Sequence, residues 1–438
     1  MKFGTDGVRG PAGVFPIDAA GAARMGRAVA QLADRVLVAR DSRVSGALLT
    51  VALVDAARIA GAHVQDLGLL PTSALSALLA EGWGDLGVML TASHNGPADN
   101  GMKVLGATGG KLTDSEQEEL ERLLTREVEV EGALHAVEDR SLPAEGAYVK
   151  ALLRASKLQG ELVGASIVVD AANGAASHTL PMIFEALGAD VHEVACAADG
   201  AQINVGCGAL KPAALVARVK EVGADAGVAV DGDGDRCTLV SASGRVLDGD
   251  ALLYLLATDR GTDTHESSVV GTVMTNAGLE AALHARGIGL VRTPVGDRHV
   301  EAALHRENLR VGAEPSGHVC LSDGLPTADG ALTALRVLRG GLDIDTRLAG
   351  YEPFPSTLIN VRVTDKPAIE SVPALVAARD VAVAALAPQG RIVFRYSGTE
   401  PLLRVMAEGP HAALVTEVAQ RLAERVEAVL GVGSDDAS

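Results

Sequence analysis

Six short apolar runs, each ending in a polar loop that contains glycine, constrain this 438-residue chain more than any other feature. They are Val36–Ala39, Gly87–Leu90, Ile167–Val169, Gly227–Val230, Val269–Met274 and Leu290–Arg292. A strand that reads as an uninterrupted apolar run is buried on both faces, which requires helices on either side of a largely parallel sheet. Ala/Leu-rich helical stretches lie between the runs, so the chain is expected to be α/β. The six runs fall into three successive pairs, predicting three related α/β domains with mixed sheets. Beyond Gly350–Pro355 the pattern changes: strands at about Thr357–Val363, Ile392–Arg395 and Leu402–Met406 alternate with a long Ala/Val helix and a final helix from about Ala412. That order predicts a small C-terminal α+β domain with helices over an antiparallel sheet. The expected domains are 1–148, 149–249, 250–352 and 353–438.

Local signals refine these limits. Thr113-Asp-Ser-Glu116 is a capping box that opens a charged helix through about Arg126. The acidic stretch Val130 to Glu145 reads as an irregular connection, a Gly/Asp turn near Asp248–Asp250 closes the second domain, and the terminal GSDDAS is expected to be disordered. With 38 Lys+Arg against 56 Asp+Glu, a formal charge of −18 and 2% aromatic residues, the chain lacks the basic surface and stacking platforms of a nucleic-acid binder. No run approaches the ~18 apolar residues of a membrane span, and the start MKFGTDGVRG lacks an apolar leader, so a cytoplasmic protein is expected. Cys196, Cys207, Cys237 and Cys320 include no CxxC pair and read as reduced, mostly buried thiols.

Ligands of open α/β sheets collect outside the carboxyl ends of the strands, so the polar loops are where chemistry is expected. Asp231-Gly-Asp233-Gly-Asp235-Arg236 sets three carboxylates between glycines. Three converging anions repel one another unless a hard cation sits among them, which points to Mg²⁺ rather than a solvated acidic turn. An EF-hand is disfavoured because Arg236 stands at its glycine position and Ala242 at its closing glutamate. A haloacid dehalogenase-type loop, with Asp231 as nucleophile and Asp233 as acid/base, would carry Thr or Val where this chain has Asp235. Thr91-Ala-Ser93-His94-Asn95, trailed by Lys103, offers a hydroxyl as nucleophile or phosphate carrier, although a serine in a polar loop more often bonds the backbone. Neither a G-x-S-x-G elbow nor a Walker A loop is present.

Two further loops complete the set. Arg395-Tyr-Ser397-Gly398-Thr399-Glu-Pro401, followed by Arg404, combines guanidinium groups, hydroxyls and a glycine, as a phosphate clamp needs. Glu314-Pro-Ser316-Gly-His318 places an acceptor, a hydroxyl and an imidazole that can exchange a proton near neutral pH. A β-turn and a surface turn are the competing explanations for these two loops.

Together, in this order along the chain, the four loops resemble those of the α-D-phosphohexomutase superfamily over essentially its whole length. The opening Phe3-Gly-Thr-Asp-Gly-Val-Arg9-Gly, Thr293-Pro-Val-Gly-Asp297-Arg and the segment from Ser397 to Met406 look like the branch that interconverts glucosamine 6-phosphate and glucosamine 1-phosphate, on the route to UDP-N-acetylglucosamine. The resemblance implies domains arranged around a central active-site cleft, a sugar-phosphate substrate, Mg²⁺, a sugar bisphosphate as activator and intermediate, and room for a homodimer. It makes Ser93 the phosphoryl carrier, with Mg²⁺ held by Asp231, Asp233, Asp235 and an oxygen of phosphorylated Ser93. Arg9, Lys103 and Arg236 would surround the transferring group, with Lys103 and His318 as acid and base. Glu314 and Ser316 would read sugar hydroxyls; Arg395, Ser397, Gly398, Thr399 and Arg404 would bind the phosphate that is not reacting.

Three departures from that pattern stand out: Gly96 precedes Pro97 after the Ser-His-Asn triplet, Pro315 replaces a usual glutamine, and Cys207-Gly-Ala-Leu-Lys alters a usual CGS segment. A phosphoglucomutase/phosphomannomutase is the nearest rival. A non-catalytic sugar-phosphate sensor would keep the clamp without needing Ser93, Lys103 and the aspartates together. An anionic ligand approaching an acidic protein requires local cations, so Arg9, Lys103, Arg236, Arg395 and Arg404 are expected to form a positive cleft.

Overall fold

The computed structural model describes residues 7–125, 138–158, 160, 162–259, 267–397 and 400–431. The chain divides into two compact units, Met1–Glu266 with Gly296–Ala349, and Ser267–Val295 with Gly350–Ser438.

The first unit opens with a six-stranded mixed sheet in the order Gly7–Pro11, Asp99–Gly106, Leu86–Leu90, Arg35–Arg40, His63–Leu69, Glu138–Asp139. Arg35–Arg40 is parallel to both neighbours, whereas Asp99–Gly106 is antiparallel to Leu86–Leu90 and to Gly7–Pro11. Alternation along the central strands explains their uninterrupted apolar sequence. Val36, Val38, Val88 and Leu90 join one core with the helices Ala19–Val29, Gly46–Ile59 and Asp114–Thr125. Gly87, on the other face, lies so close to Leu75 and Leu79 of the helix Thr72–Ala80 that an added Cβ would come within 2.8 Å of Leu79.

A second, five-stranded sheet runs Val246–Leu247, Cys237–Ser241, Ala226–Val230, Ser166–Asp170, Asp190–Val194. Its core gathers Val168, Ala229 and Val240 against Leu215 and Val219 of the helix Ala213–Val222. The unit also holds an antiparallel pair, Val311–Ala313 with Val319–Leu321, and the helices Ser141–Ser156, Thr179–Ala186, Gly249–Thr258, Asp297–Glu307, Gly330–Leu338 and Ile344–Arg347.

The second unit contains a parallel pair, Ser268–Thr272 with Gly289–Thr293, beside the helix Ala277–His284. Its antiparallel sheet runs Ser356–Arg362, Leu402–Glu408, Arg391–Tyr396 and packs on the helices Pro373–Leu386 and Ala412–Leu430. The buried Glu408 carboxylate accepts from the Ala277 N–H at 2.8 Å, joining the two parts.

Five of the six apolar runs lie wholly within strands, in Val269–Met274 the strand ends at Thr272 and Val273–Met274 turn away, and the C-terminal segment has the expected α+β order. The capping box is reciprocal: Thr113 N–H donates to Glu116 at 2.8 Å and Glu116 N–H to Thr113 Oγ1 at 3.3 Å. Two expectations are corrected. The stretch read as irregular to Glu145 becomes helical at Ser141, whose N–H and hydroxyl both donate to Asp139, while Pro143 falls in the first turn, where its missing N–H costs nothing. Asp248–Asp250 is the start of a helix: the Asp248 carboxylate accepts from Ala251 N–H at 3.0 Å, an N-cap worth about 1 kcal/mol. The GSDDAS terminus and residues 130–137 of the 130–145 stretch lie outside the described residues. All four cysteines are free, three of them buried. No described helix is long and apolar enough to cross a membrane.

Candidate active site

The acidic loop connects Ala226–Val230 to the antiparallel strand Cys237–Ser241, with Val230 opposite Cys237. Both glycines are required by its path. Gly234 has φ +78°, and a Cβ on Gly232 would lie 2.4 Å from the Ser93 carbonyl oxygen. The loop can therefore press against the serine loop, and one carboxylate oxygen from each of Asp231, Asp233 and Asp235 falls within 4.8 Å of the others.

Ser93 follows the strand Leu86–Leu90, is 3% exposed and donates from Oγ to Asp231 Oδ2 at 2.8 Å. His94 Nδ1 lies 3.2 Å from the same hydroxyl, and burial together with Arg236 and Arg9 pushes its imidazole down to about 4, neutral at physiological pH. Lys103 projects from the strand Asp99–Gly106 and donates from Nζ to Asp233 at 2.6 Å and to Asp235 at 3.3 Å. Thr72 Oγ1 donates to the same Asp233 oxygen at 2.7 Å. Arg9, exposed on Gly7–Pro11, reaches Asn95 Oδ1 at 3.3 Å.

Arg236 and His318 are backbone bridge partners, which carries the Glu314–His318 loop to the acidic loop. His318 Nδ1 stands 3.7 Å from Asp235, while Nε2 stands 3.5 Å from Asp297, which is itself paired with Lys111. Burial disfavours the imidazolium, yet Asp235 and Cys320 together outweigh it and hold His318 well above its ordinary range. Glu314 Oε1 accepts from Gly296 N–H at 2.9 Å, so part of its acceptor capacity orders the turn before the helix Asp297–Glu307. Ser316 Oγ is buried with no hydrogen-bond partner among the described residues.

The acidic loop fits a hard divalent cation. Burial first, then Asp235 and Asp233, pushes the Asp231 carboxyl up, as expected for an anion lacking compensation. Burial acts likewise on Asp235, but Lys103, His318 and Arg236 overcome it and hold that carboxyl well below the usual range. Asp233 Oδ1 is buried with no hydrogen-bond partner among the described residues. An all-oxygen donor set with Ser93 Oγ beside it suits Mg²⁺.

In the second unit, Arg395 and Arg404 face each other in register across adjacent strands. Like charges directly opposite are destabilising in a sheet, so an anion between them would relieve the pair. Arg404 donates to Ser397 Oγ at 3.4 Å, and Lys366 Nζ donates to the Ser397 carbonyl at 2.7 Å. Gly398 and Thr399 lie outside the described residues.

The first unit thus brings together Ser93, Lys103, Arg9, Arg236, His318, Glu314, Ser316 and the three aspartates. Sequence reasoning gave no role to Asp41, Arg43, Thr72, Asn204, Asp297 or Lys366, which bind or align these groups. Arg40-Asp-Ser-Arg43 at a strand's carboxyl end was the available signal for two of them.

Family models for phosphoglucomutase/phosphomannomutase alpha/beta/alpha domains I, II and III and for the C-terminal domain match residues 1–131, 146–244, 248–340 and 358–425. The phosphoglucosamine mutase of Delftia acidovorans is 42% identical over 433 residues, covering 96% of this chain and 97% of its own. That of Agrobacterium fabrum is 40% identical over 435 residues, covering 96% of each. A phosphoglucomutase/phosphomannomutase family protein from Burkholderia thailandensis superposes with a TM-score of 0.78 at 26% identity over 97% of both chains. The N-acetylphosphoglucosamine mutase of Aspergillus fumigatus, solved with GlcNAc-6P and magnesium, shares the fold with a TM-score of 0.66 at 20% identity, covering 97% of this chain and 95% of its own.

Proposed function

Because the chain belongs to the phosphoglucomutase/phosphomannomutase family, we propose that it interconverts glucosamine 6-phosphate and glucosamine 1-phosphate, supplying the 1-phosphate for UDP-N-acetylglucosamine. Relatives named phosphoglucosamine mutase at 40–42% identity over nearly the full chain support the amino-sugar reading. The observation that carries the phosphoryl-transfer reading is the Ser93 hydroxyl held 2.8 Å from Asp231, one of three clustered carboxylates of which Asp233 and Asp235 accept from Lys103.

Ser93 carries the phosphoryl group. In the first half-reaction the bond from Ser93 Oγ to phosphorus breaks and one from a substrate hydroxyl oxygen to phosphorus forms, while the hydroxyl proton passes to a neighbouring base. The bisphosphate then turns, and the reverse step returns its other phosphoryl group to Ser93. Lys103 and His318 supply the acid and base, and Arg9 and Arg236 balance charge on the transferring oxygens. Asp231, Asp233 and Asp235, with an oxygen on Ser93, would hold Mg²⁺, which when bound stabilises negative charge on phosphoryl oxygens. Glu314 and Ser316 address sugar hydroxyls, and the unpartnered Ser316 hydroxyl suits that role.

The substrate assignment is tested by a coupled assay with Mg²⁺ and a trace of sugar bisphosphate. We expect kcat/KM for glucosamine 1-phosphate to exceed that for glucose 1-phosphate by at least roughly tenfold. The opposite order would make the chain a phosphoglucomutase.

Arg395, Ser397, Gly398, Thr399 and Arg404 are assigned to the phosphate that is not reacting. Arg404→Ala should raise KM by roughly 10- to 100-fold, the loss expected for charge-assisted bonds. Phosphorylation of Ser93 by the bisphosphate at saturation should persist. An unchanged KM would remove the clamp from the substrate site.

A further inference from the structure

Arg43 is the most completely engaged side chain around the serine loop. Its side chain has no solvent exposure, and all five guanidinium N–H groups have acceptors. Nη2 donates to the carbonyls of Ser93 at 2.9 Å and Asn95 at 2.8 Å. Nη1 donates to the carbonyls of Asp99 at 2.8 Å and Gly96. Nε donates to Asp41 Oδ2 at 2.9 Å.

The same Asp41 oxygen accepts from Thr91 Oγ1 at 2.6 Å, and Thr91 Oγ1 accepts from the Ser93 N–H at 2.8 Å. The Asp41–Arg43 pair thus grips Ser93 through both its carbonyl and its N–H. Ser93 has φ +51°, a left-handed conformation that a side-chain-bearing residue keeps only where its surroundings over-determine it. That conformation directs Oγ to Asp231. Asn204 Nδ2 reinforces the grip, donating to the Ser93 carbonyl at 2.9 Å and to that of Asn95 at 3.0 Å.

We propose that Arg43, anchored by Asp41 and linked through Thr91, is a positioning residue for phosphoryl transfer: it fixes the backbone of Ser93 so that Oγ faces the acidic loop. This inference rests on Ser93 being the phosphoryl carrier. Arg43 reaches the carrier only through backbone atoms. Its planar five-donor fork has no equivalent in lysine, although charge and approximate length are the same.

The test compares Arg43→Lys, Thr91→Val and Thr91→Ser with the parent, well below each Tm, reading kcat, KM and the rate at which the bisphosphate phosphorylates Ser93, by intact-protein mass spectrometry. Arg43→Lys should lower kcat and the phosphorylation rate by roughly 10²-fold, the cost of a misplacement near 1 Å, with KM changed little. Thr91→Val, nearly isosteric but lacking the hydroxyl, should lose roughly tenfold in the same two rates, and Thr91→Ser should restore them. If Arg43→Lys fails to fold, the Thr91 pair decides. Parental kcat in Thr91→Val, with only Tm reduced, overturns the proposal. Ser93→Ala, measured in parallel, separates the premise: full activity there defeats the carrier assignment, whereas an inactive Ser93→Ala beside an undiminished Thr91→Val defeats the positioning role alone.

Discussion

Ser93→Ala is expected to lower turnover by on the order of 10⁶-fold, the scale seen when a covalent nucleophile is removed, while the protein remains folded. The substitution deletes one buried oxygen and leaves the backbone grip of Arg43, Asn204 and Thr91 in place, because each of those bonds goes to a main-chain atom of Ser93. Asp231 loses one donor, yet keeps the Arg236 N–H at 3.2 Å. Stability should therefore fall by no more than about 1–3 kcal/mol, the range for one buried acceptor losing a partner. The coupled assay reads turnover, circular dichroism and Tm report the fold, and mass spectrometry should find phosphate on Ser93 of the parent and none in the variant. An active Ser93→Ala would end the phosphoserine mechanism.

Asp231→Asn should reduce kcat by on the order of 10³-fold, since several kcal/mol of charge stabilisation are lost with the cation. The variant also carries an expectation of opposite sign. Without metal, the parent confines three carboxylates within 4.8 Å, and burial with Asp235 and Asp233 penalises ionised Asp231. Asparagine removes that charge at nearly equal volume, so metal-free Asp231→Asn should be at least as stable as the metal-free parent. Mg²⁺ at 100 times its Kd should stabilise the parent by about 2.7 kcal/mol and the variant far less. Thermal melts with and without Mg²⁺, after chelation, measure both. A parent whose Tm ignores Mg²⁺ would show that the aspartates serve some other end.

Much of this site was legible because its signals are local. An apolar run, a Gly-Asp alternation and a hydroxyl at a strand's end each carry physical meaning within a few residues. The same locality explains the omissions. Asp41 and Arg43 lie fifty or more residues before the atoms they hold across the turn: Arg43 reaches the Ser93 carbonyl over a separation of 50 residues and that of Asp99 over 56. Nothing in Arg-Asp-Ser-Arg says whether its charges face water or a buried turn. Asp297 stands in sequence as one member of Thr293-Pro-Val-Gly-Asp297-Arg, and its place beside His318 and Lys111 follows only from the bridge that joins the Glu314–His318 loop to Arg236. Glu314 was expected to read sugar hydroxyls, yet it also caps the turn at Gly296, a backbone bond no side-chain motif predicts.

By itself the sequence determined the α/β layering, the antiparallel C-terminal module, and the residue types that can hold a phosphoryl group, a hard cation and a second phosphate. These follow from periodicity, burial and charge, which each segment carries whatever surrounds it. Only the tertiary structure decided that Ser93 and Asp231, separated by 138 residues, meet at 2.8 Å, and that a left-handed backbone aims the hydroxyl there. That meeting depends on glycine at position 232, whose missing Cβ lets the acidic loop lie against the Ser93 carbonyl. It depends equally on a buried guanidinium whose five N–H groups satisfy a turn that could not otherwise leave water. Such contacts are set by which strands pair and which loops they bring together, and that is decided by the whole chain folding at once.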